Sequence, residues 1–403
     1  MNQIITHLTD NDMYKYSMGQ TIFHQFNSDE RTWTFKCRNK DVRFTHEMVE
    51  EIKRQIKLYC NLTYTEKELV YLSSIKWIHK DYIDFLRLWK PRYEEFTITE
   101  DGPCGLTIET KGTWLNTSQY EIPVLSIVNE VYFTIKYDID SLEDMMKFYT
   151  ETKINEVLSP THRYHILYNT PFSEFGTRRR LSSKAQEDMI KMFKNAKIPG
   201  FVGTSNVYLA MKYGLTPVGT MAHELVQVVG QGHHEQNPAY SNKFTLDAWV
   251  KEYGVLNGIA LTDTITTDCF LKDFRLTYAT LFSGVRHDSG DPIIWGEKMI
   301  EHYWSLGIDP MTKTLLFSDS LDFHRASEIA NHFVGRAKVA FGIGTWLSND
   351  CGVTPLNIVM KVTEANGGPV AKISDVEGKG MCKDEDYVNY LKRSINWRLT
   401  HDA

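Results

Sequence analysis

At 403 residues the chain is long for a single domain of ~150 residues and reads as two or three. Hydrophobic residues make up 42% and charged residues 24%, a globular balance that excludes a disordered, collagenous or low-complexity chain. A net charge of −6 excludes a global basic field for nucleic acid or acidic lipid, while local charge can still serve a small anion. The six cysteines are scattered with no C-x-x-C pair, the pattern of free thiols in a reducing compartment. The N-terminus carries no secretory pattern and no run of ~18 apolar residues occurs, so a soluble, cytoplasmic protein is expected.

The first 150 residues read as a mixed α+β unit. Trp33, Phe35 and Cys37 alternate with Thr34, Lys36 and Arg38, the period of a half-buried strand. Met48, Val49, Ile52 and Ile56 fall on one helical face, and further helices are predicted over 66–75 and 80–88. Residues 96–99 and 106–109 flank Asp101-Gly102-Pro103 as a hairpin, and 121–135 reads as a buried helix with Pro123 in its first turn.

From about residue 165 short apolar stretches alternate with helical patterns over 182–195, 268–274, 292–306 and 321–332, the rhythm of parallel βα units. Seven polar or glycine-rich clusters end the apolar stretches. The first four are Gly176-Thr177-Arg178-Arg179-Arg180, Gly203-Thr204-Ser205-Asn206, Gly219-Thr220-Met221-Ala222-His223-Glu224 and Thr262-Asp263-Thr264. Gly284-Val285-Arg286-His287-Asp288-Ser289-Gly290-Asp291, Ser318-Asp319-Ser320 and Gly342-Ile343-Gly344-Thr345 follow. Parallel βα units put all strand C-termini on one face, where active sites of such barrels form. Residues 356–364 and 369–374, about Asn366-Gly367-Gly368, read as a closing hairpin that could return to the N-terminal unit.

Each cluster has a chemical reading and a plain one. The arginine run suits phosphate or carboxylate, with two of three reaching a common ligand; solvated helix-capping charge is the alternative. Arg286 could meet an anion and Asp288 a ribose hydroxyl or magnesium, while Asp291 caps the helix that Pro292 opens. Gly342, Gly344 and Thr345 could bring backbone N–H groups to a phosphate, or simply make a tight turn. His223 read alone is more often structural, and Glu224 beside it faces elsewhere. His233 and His234 look like loop residues and make no metal triad. Phe175 and Tyr14 could stack on a flat ring or merely pack. The residues together point to an α/β barrel enzyme handling a phosphorylated, anionic substrate.

The five longest motifs, with Asp12-Met13-Tyr14-Lys15, resemble the nicotinate phosphoribosyltransferase family in its bacterial and fungal branch. The resemblance runs in family order over nearly the whole chain, to Val370-Ala371-Lys372, with no departure in the motifs. It implies an irregular α/β barrel of the type II phosphoribosyltransferase kind over 151–355, with an N-terminal α+β domain over 1–150. Residues 356–403 would return to complete that domain. It further implies that nicotinate and phosphoribosyl pyrophosphate give nicotinate mononucleotide and pyrophosphate, coupled to ATP hydrolysis through a phosphohistidine at His223 and assisted by Mg2+. Arg178 would then stabilise the departing pyrophosphate, with Gly176, Thr177 and Arg179 beside it. Asp288 would hold the ribose, and Gly342, Gly344, Thr345, Ser318 and Asp319 would surround the 5′-phosphate. Nicotinate would stack between Phe175 and Tyr14 with Arg286 facing its carboxylate, and Asp263 would also line the site. In dimeric family members that tyrosine comes from the neighbouring subunit, which raises a homodimer. Related nicotinamide-using enzymes carry an aspartate where this chain has Ser205-Asn206, so the acid is expected to be preferred over the amide. Quinolinate phosphoribosyltransferase is the nearest rival, and the cluster around His223 argues against it. A sugar-phosphate aldolase or isomerase would want a lysine at a strand end, and none of the seven clusters holds one. A nucleotide-sensing protein that has lost activity would tolerate loss of His223.

Overall fold

Two sheets of different character organise the computed structural model, which describes residues 1–233, 235–375, 381–382 and 384–401. Strands β1 (Glu30–Cys37), β2 (Phe96–Thr99) and β3 (Thr107–Thr113) come first. The βα run then supplies β4 (Phe172–Glu174), β5 (Phe201–Thr204), β6 (Thr216–Pro217), β7 (Ile259–Leu261), β8 (Gly284–His287), β9 (Thr314–Phe317) and β10 (Lys338–Ile343). The chain closes through β11 (Ile358–Ala365) and β12 (Gly368–Pro369).

The seven strands β4–β10 form one parallel sheet in the order β6-β5-β4-β10-β9-β8-β7. It curls into an irregular half-barrel, and β6 and β7 at its two ends do not pair. The gap is crossed instead by a side chain: Thr220 Oγ1 donates to the Ile259 carbonyl at 2.8 Å. Every polar cluster seen in the sequence stands at a strand C-terminus, because in a parallel sheet those ends share one side. The interior is built of interlocked rings, with Phe172 against Phe193, Phe201 and Phe323 and Phe317 stacked near Phe341.

The second sheet is antiparallel, in the order β12-β11-β1-β3-β2. Strand β11 lies beside β1, with Thr34 opposite Lys361 and Cys37 opposite Ile358, so chain from after the barrel extends a sheet begun before it. Helix Glu121–Lys136, buried along most of its length, lies between this sheet and the mouth of the half-barrel. Its Ser126 and Asn129 donate to the carbonyls of Thr177 and Arg180. Local signals explain many helix starts: Thr45 caps helix His46–Tyr59, Thr65 and Glu68 form a capping box, and Asp291 accepts from the N–H groups of Ile293 and Ile294.

Several boundaries differ from the periodicity. Residues 369–374 do not form a full strand: β12 stops at Pro369 because Gln231 takes both backbone groups of Ala371, at 2.7 and 2.9 Å, and draws the chain toward the barrel mouth. Helices Ile139–Leu158 and Glu385–His401 went unread. The latter packs on helix Thr267–Asp273 through Leu391 and Ile395 and a buried Arg398–Asp273 pair, so the tail lies against the barrel side, not the antiparallel sheet. His233 lies in a bend after helix His223–Gln231, and His234 lies outside the described residues. No helix among the described residues is long and apolar enough to cross a membrane.

Candidate active site

The strand C-termini, strands β1 and β11 of the antiparallel sheet and the N-terminal segment enclose a cleft of about 560 Å³. Thirteen of the residues singled out from sequence line it: Tyr14, Phe175, Gly176, Arg178, Arg179, Ser205, His223, Arg286, Asp288, Ser318, Asp319, Gly344 and Thr345. Thr177, Asn206, Asp263 and Gly342 do not line it, each for a visible reason. Thr177 is buried, with its hydroxyl taking a bond from Gln186. Asn206 caps helix Val207–Tyr213 and donates to Asp10. A Cβ on Gly342 would sit 2.2 Å from the Phe175 ring, so this glycine seats the aromatic wall and is not itself at the surface of the cleft. Asp263 lies behind His223 and acts through it.

His223 opens helix His223–Gln231, directly after the Gly219–Ala222 turn. Its Nε2 is 2.9 Å from Asp263 Oδ1. Lys372 Nζ lies 2.8 Å from that nitrogen and 2.8 Å from Asp263 Oδ2, which also accepts from Ser289 Oγ at 2.5 Å. Against the cost of burial, His223 and Lys372 hold the Asp263 carboxyl well below the usual range. Burial and then the Lys372 charge push His223 below the ordinary histidine value, so the imidazole is neutral near pH 7. Asp263 and Lys372 both meet the ring at Nε2, not at Nδ1. Beside them Asp288 pairs with Arg286 at 3.0 Å, and against burial that guanidinium and His223 hold Asp288 down to about 2. Ser318 joins the pair, accepting from Arg286 Nε at 2.8 Å and donating to Asp288 Oδ1 at 3.0 Å.

The arginine run divides because Arg178 and Arg179 lie in a tight 3-10 turn over Thr177–Arg179 that ends at Arg180. Arg178 and Arg179 reach the cleft, whereas Arg180 turns inward and grips Asp10 through two bonds of 2.7 and 2.8 Å. A buried carboxyl supports the turn: Glu174 accepts from Thr204 at 2.6 Å and from Gln186 at 3.0 Å, and burial lifts it to about 7.

Three groups at or directly beneath the cleft wall escaped the sequence reading. Arg38, just beyond β1, and Lys361 on β11 join Arg178, Arg179 and Lys372 to form a cationic cluster. Burial together with the neighbouring cations holds Lys361 down to about 7 and Arg179 to about 9. Cations that depress one another in this way define a place for an anion. Second, Lys15 is fully buried between Glu121 and Glu224, at 2.8 and 2.7 Å, and the same Glu121 accepts from Tyr14 Oη at 2.9 Å. The Tyr14 ring is thereby tied to the helix that carries His223. Third, Asp12 accepts from Ser205 Oγ at 2.7 Å, so an acid reaches a strand end whose own sequence holds none. Burial raises the Asp12 carboxyl above its ordinary value. Asp12 lay within a quoted motif, but nothing local indicated that residues 9–13 would run along the exit of β5. They do so through Met13 N–H to Ser205 O and Val207 N–H to Asn11 O.

Tyr14 and Phe175 reach the same cleft from a single chain. Because a Cβ at Gly342 would displace the Phe175 ring, Gly342→Ala is expected to weaken binding of a flat ring about tenfold, ~1.4 kcal/mol, with little effect on a phosphate ligand. Ligand titrations of the two proteins check this, and equal ring affinity would refute it.

A family model described as the nicotinate phosphoribosyltransferase family matches residues 170–398, and one for that family's N-terminal domain matches residues 9–129. The nicotinate phosphoribosyltransferase of Bordetella petrii is 43% identical over 393 residues, covering 97% of this chain and 98% of that protein. That of Acidovorax sp. (strain JS42) is 42% identical over 401 residues, covering 97% and 98%. Among solved structures, the Vibrio cholerae nicotinate phosphoribosyltransferase superimposes with a TM-score of 0.90 at 34% identity, over 98% of this chain and 94% of that one. The Porphyromonas gingivalis enzyme gives 0.87 at 32% identity, over 97% and 100%. With family models matching residues 9–129 and 170–398, relatives 42–43% identical over nearly the whole chain and a fold that superimposes on solved members, this chain belongs to the nicotinate phosphoribosyltransferase family.

Proposed function

We propose that the protein transfers a phosphoribosyl group from phosphoribosyl pyrophosphate to nicotinate and couples the transfer to ATP hydrolysis through His223. The observation that carries this reading is one cleft in which a cationic cluster, an aromatic pair and a buried Asp–His unit face the same space. Each part has a step to perform.

Nicotinate lies between Tyr14 and Phe175, with Arg286 toward its carboxylate. Its ring nitrogen attacks the ribose C1 as the bond to pyrophosphate breaks, so positive charge grows on the sugar and negative charge on the leaving group. Arg178, with Arg38, Lys361 and Lys372, faces the departing pyrophosphate, and fixed cations there count most in the transition state. Asp288, held ionised by Arg286, takes the ribose hydroxyls and sits close to the growing positive charge. Gly344 and Thr345 offer backbone donors to the 5′-phosphate, with Ser318 and Asp319 at its margin. Mg2+ would supply charge neutralisation on the pyrophosphate. Asp319, a carboxylate that opens on the cleft, suits such a hard ion and would hold it. The buried Asp263 does not suit it, being already engaged by His223, Lys372 and Ser289.

Nδ1 of His223 attacks the γ-phosphorus of ATP and ADP leaves. Water later cleaves the N–P bond, releasing phosphate and restoring the imidazole. The phosphohistidine stands at the N-terminus of helix His223–Gln231 beside Lys372, where both the helix dipole and the ammonium favour added negative charge. Phosphorylation there can bias the cleft toward tight binding and hydrolysis can reset it. The summed reaction is nicotinate, phosphoribosyl pyrophosphate, ATP and water to nicotinate mononucleotide, pyrophosphate, ADP and phosphate. That is the ligase form of the enzyme.

The test follows mononucleotide formation with nicotinate or nicotinamide, each with and without Mg-ATP. Nicotinate is expected to be preferred at least about tenfold in kcat/KM, ~1.4 kcal/mol, with ADP released in step with product. Asp12 makes this more than a formality, since it brings a carboxyl to the Ser205 position. Equal use of the two substrates would overturn the assignment of the acid, and product without ADP release would overturn the coupling.

A further inference from the structure

Away from the cleft, three helices bring two imidazoles and two carboxylates to one point on the surface. His24 lies in the last turn of helix Met13–Gln25, His79 is the N-cap of helix Lys80–Leu88, and Asp81 lies in the first turn of that helix. Glu252 comes from helix Ser241–Tyr253. His24, His79 and Asp81 each offer one donor atom, and these atoms lie within 4.8 Å of one another.

The geometry around His24 is specific. Its Nδ1 is 2.7 Å from Oε1 of Glu252, a carboxylate only 4% exposed, while its Nε2 is 3.2 Å from Oδ2 of Asp81. A carboxylate oxygen thus faces each ring nitrogen of His24, the buried Glu252 at Nδ1 and the exposed Asp81 at Nε2. The His79 ring stands beside them, its centroid 5.5 Å from that of His24 and its Nδ1 3.9 Å from the same Glu252 oxygen. A tetrahedral metal with ligands at about 2.0–2.1 Å spaces neighbouring donors about 3.3 Å apart, close to the 3.2 Å between His24 Nε2 and Asp81 Oδ2. The other oxygen of Asp81 accepts the Tyr82 N–H at 2.8 Å, so Oδ2 is the one turned to the cluster. The segment bearing His79 is itself anchored: Gln20, one turn before His24, accepts from the His79 N–H at 2.7 Å and donates to the Trp77 carbonyl at 3.1 Å.

We propose that His24, His79 and Asp81 form a surface site for a divalent ion of the Zn2+ class, with Glu252 orienting His24 from behind. Two imidazoles with one carboxylate suit Zn2+, whereas Mg2+ and Ca2+ want oxygen donors throughout. A carboxylate on the far nitrogen of a ligating histidine is the usual way such a ring is held. Binding would staple the end of the helix whose first turn carries Tyr14 and Lys15 to two neighbouring helices.

Full-length protein stripped with a chelator is titrated with ZnCl2 by calorimetry and with CoCl2 by visible absorption, in wild-type, His79→Ala and Glu252→Gln forms. Wild type is expected to take one more equivalent of Zn2+ than His79→Ala and to show tetrahedral Co2+ bands that this variant lacks. Zn2+ should raise the wild-type melting temperature more than that of His79→Ala. Glu252→Gln is expected to weaken the same site by about 10–100-fold. The His223–Asp263–Asp288 group is common to all three proteins and cancels in the comparison. His79 is half exposed, and metal-free melting curves verify that each variant is folded. Equal stoichiometry and identical Co2+ spectra in wild type and His79→Ala would overturn the site and leave a hydrogen-bonded ion pair.

Discussion

Replacing His223 with alanine is expected to end ADP release coupled to mononucleotide formation and to leave a slow transfer that ATP does not accelerate. The nucleophile is lost while the cationic cluster and the aromatic pair stay in place. Asp263→Asn separates orientation from nucleophilicity. The amide cannot accept the Nε2 proton as a carboxylate does, and the wrong tautomer then presents itself to ATP. Phosphorylation of His223 should fall by about 10²–10⁴-fold. The pH dependence has a definite sign. Burial and Lys372 lower the His223 pKa, so the reactive neutral ring persists to more acidic pH than in a free histidine of about 6.5. Asp263 opposes that lowering, so Asp263→Asn moves the acid limb of the phosphorylation profile to still lower pH. Acid-labile 32P incorporation from γ-labelled ATP, measured from pH 5 to 8, reads both effects. If His223→Ala still released ADP in step with product, the phosphorylated residue would lie elsewhere.

Lys15→Met is expected to give the largest loss of stability. Lys15 is fully buried, bonded to Glu121 and Glu224 and placed over the Trp33 ring at 4.7 Å. Removing its charge leaves the buried Glu224 without its cation and Glu121 with Arg178 alone at 3.7 Å, a change that costs about 3–5 kcal/mol. The sign with pH follows from the partners. Despite burial, Lys15 and Arg178 depress Glu121, so its contribution is full above the unfolded pKa of about 4.3 and fades as pH falls through the folded value. Lys15 itself is raised against burial by the same carboxylates, so its contribution persists until pH passes about 10.4. Wild type should therefore lose this stabilisation in acid, whereas Lys15→Met lacks it throughout. Urea melts at pH 4 and pH 7 measure the difference, and equal midpoints at pH 7 would refute it. Adding Glu121→Gln and Glu224→Gln should recover part of the loss, because neutral amides tolerate burial better than unpaired carboxylates.

Much of the barrel could be read locally. The motifs after β4, β8, β9 and β10 each sit within a few residues of a strand end, and a parallel sheet turns that repetition along the chain into convergence in space. His223, Arg178, Arg286 and Asp288 were legible for that reason. The helix after Asp291-Pro292 was legible too, since capping is decided by neighbours three residues away. The short β12 was not. Alternation carries 369–374 onward as a strand, but a distant glutamine, Gln231, offers Ala371 better backbone partners than the sheet does.

What the sequence determined by itself is the set of reactive groups and their order: a histidine after a Gly-Thr turn, arginines after a Phe-Gly step, and acids and glycines at later strand ends. Their identity follows from side-chain chemistry and their common face from the periodicity of the βα units. Only the tertiary structure decided which groups complete them. Asp263 orients His223, Lys372 leaves the hairpin to touch both, Arg38 and Lys361 enter from a sheet assembled out of both ends of the chain, and Asp12 is laid against Ser205. The pairs His223–Asp263, His223–Lys372 and Asp12–Ser205 are separated by 40, 149 and 193 residues. Periodicity and capping act over a turn or two, and no local preference encodes contacts at such range. They exist because burying the apolar faces of two sheets and the helix between them leaves one arrangement of the chain ends, and that arrangement carries the charges into the cleft.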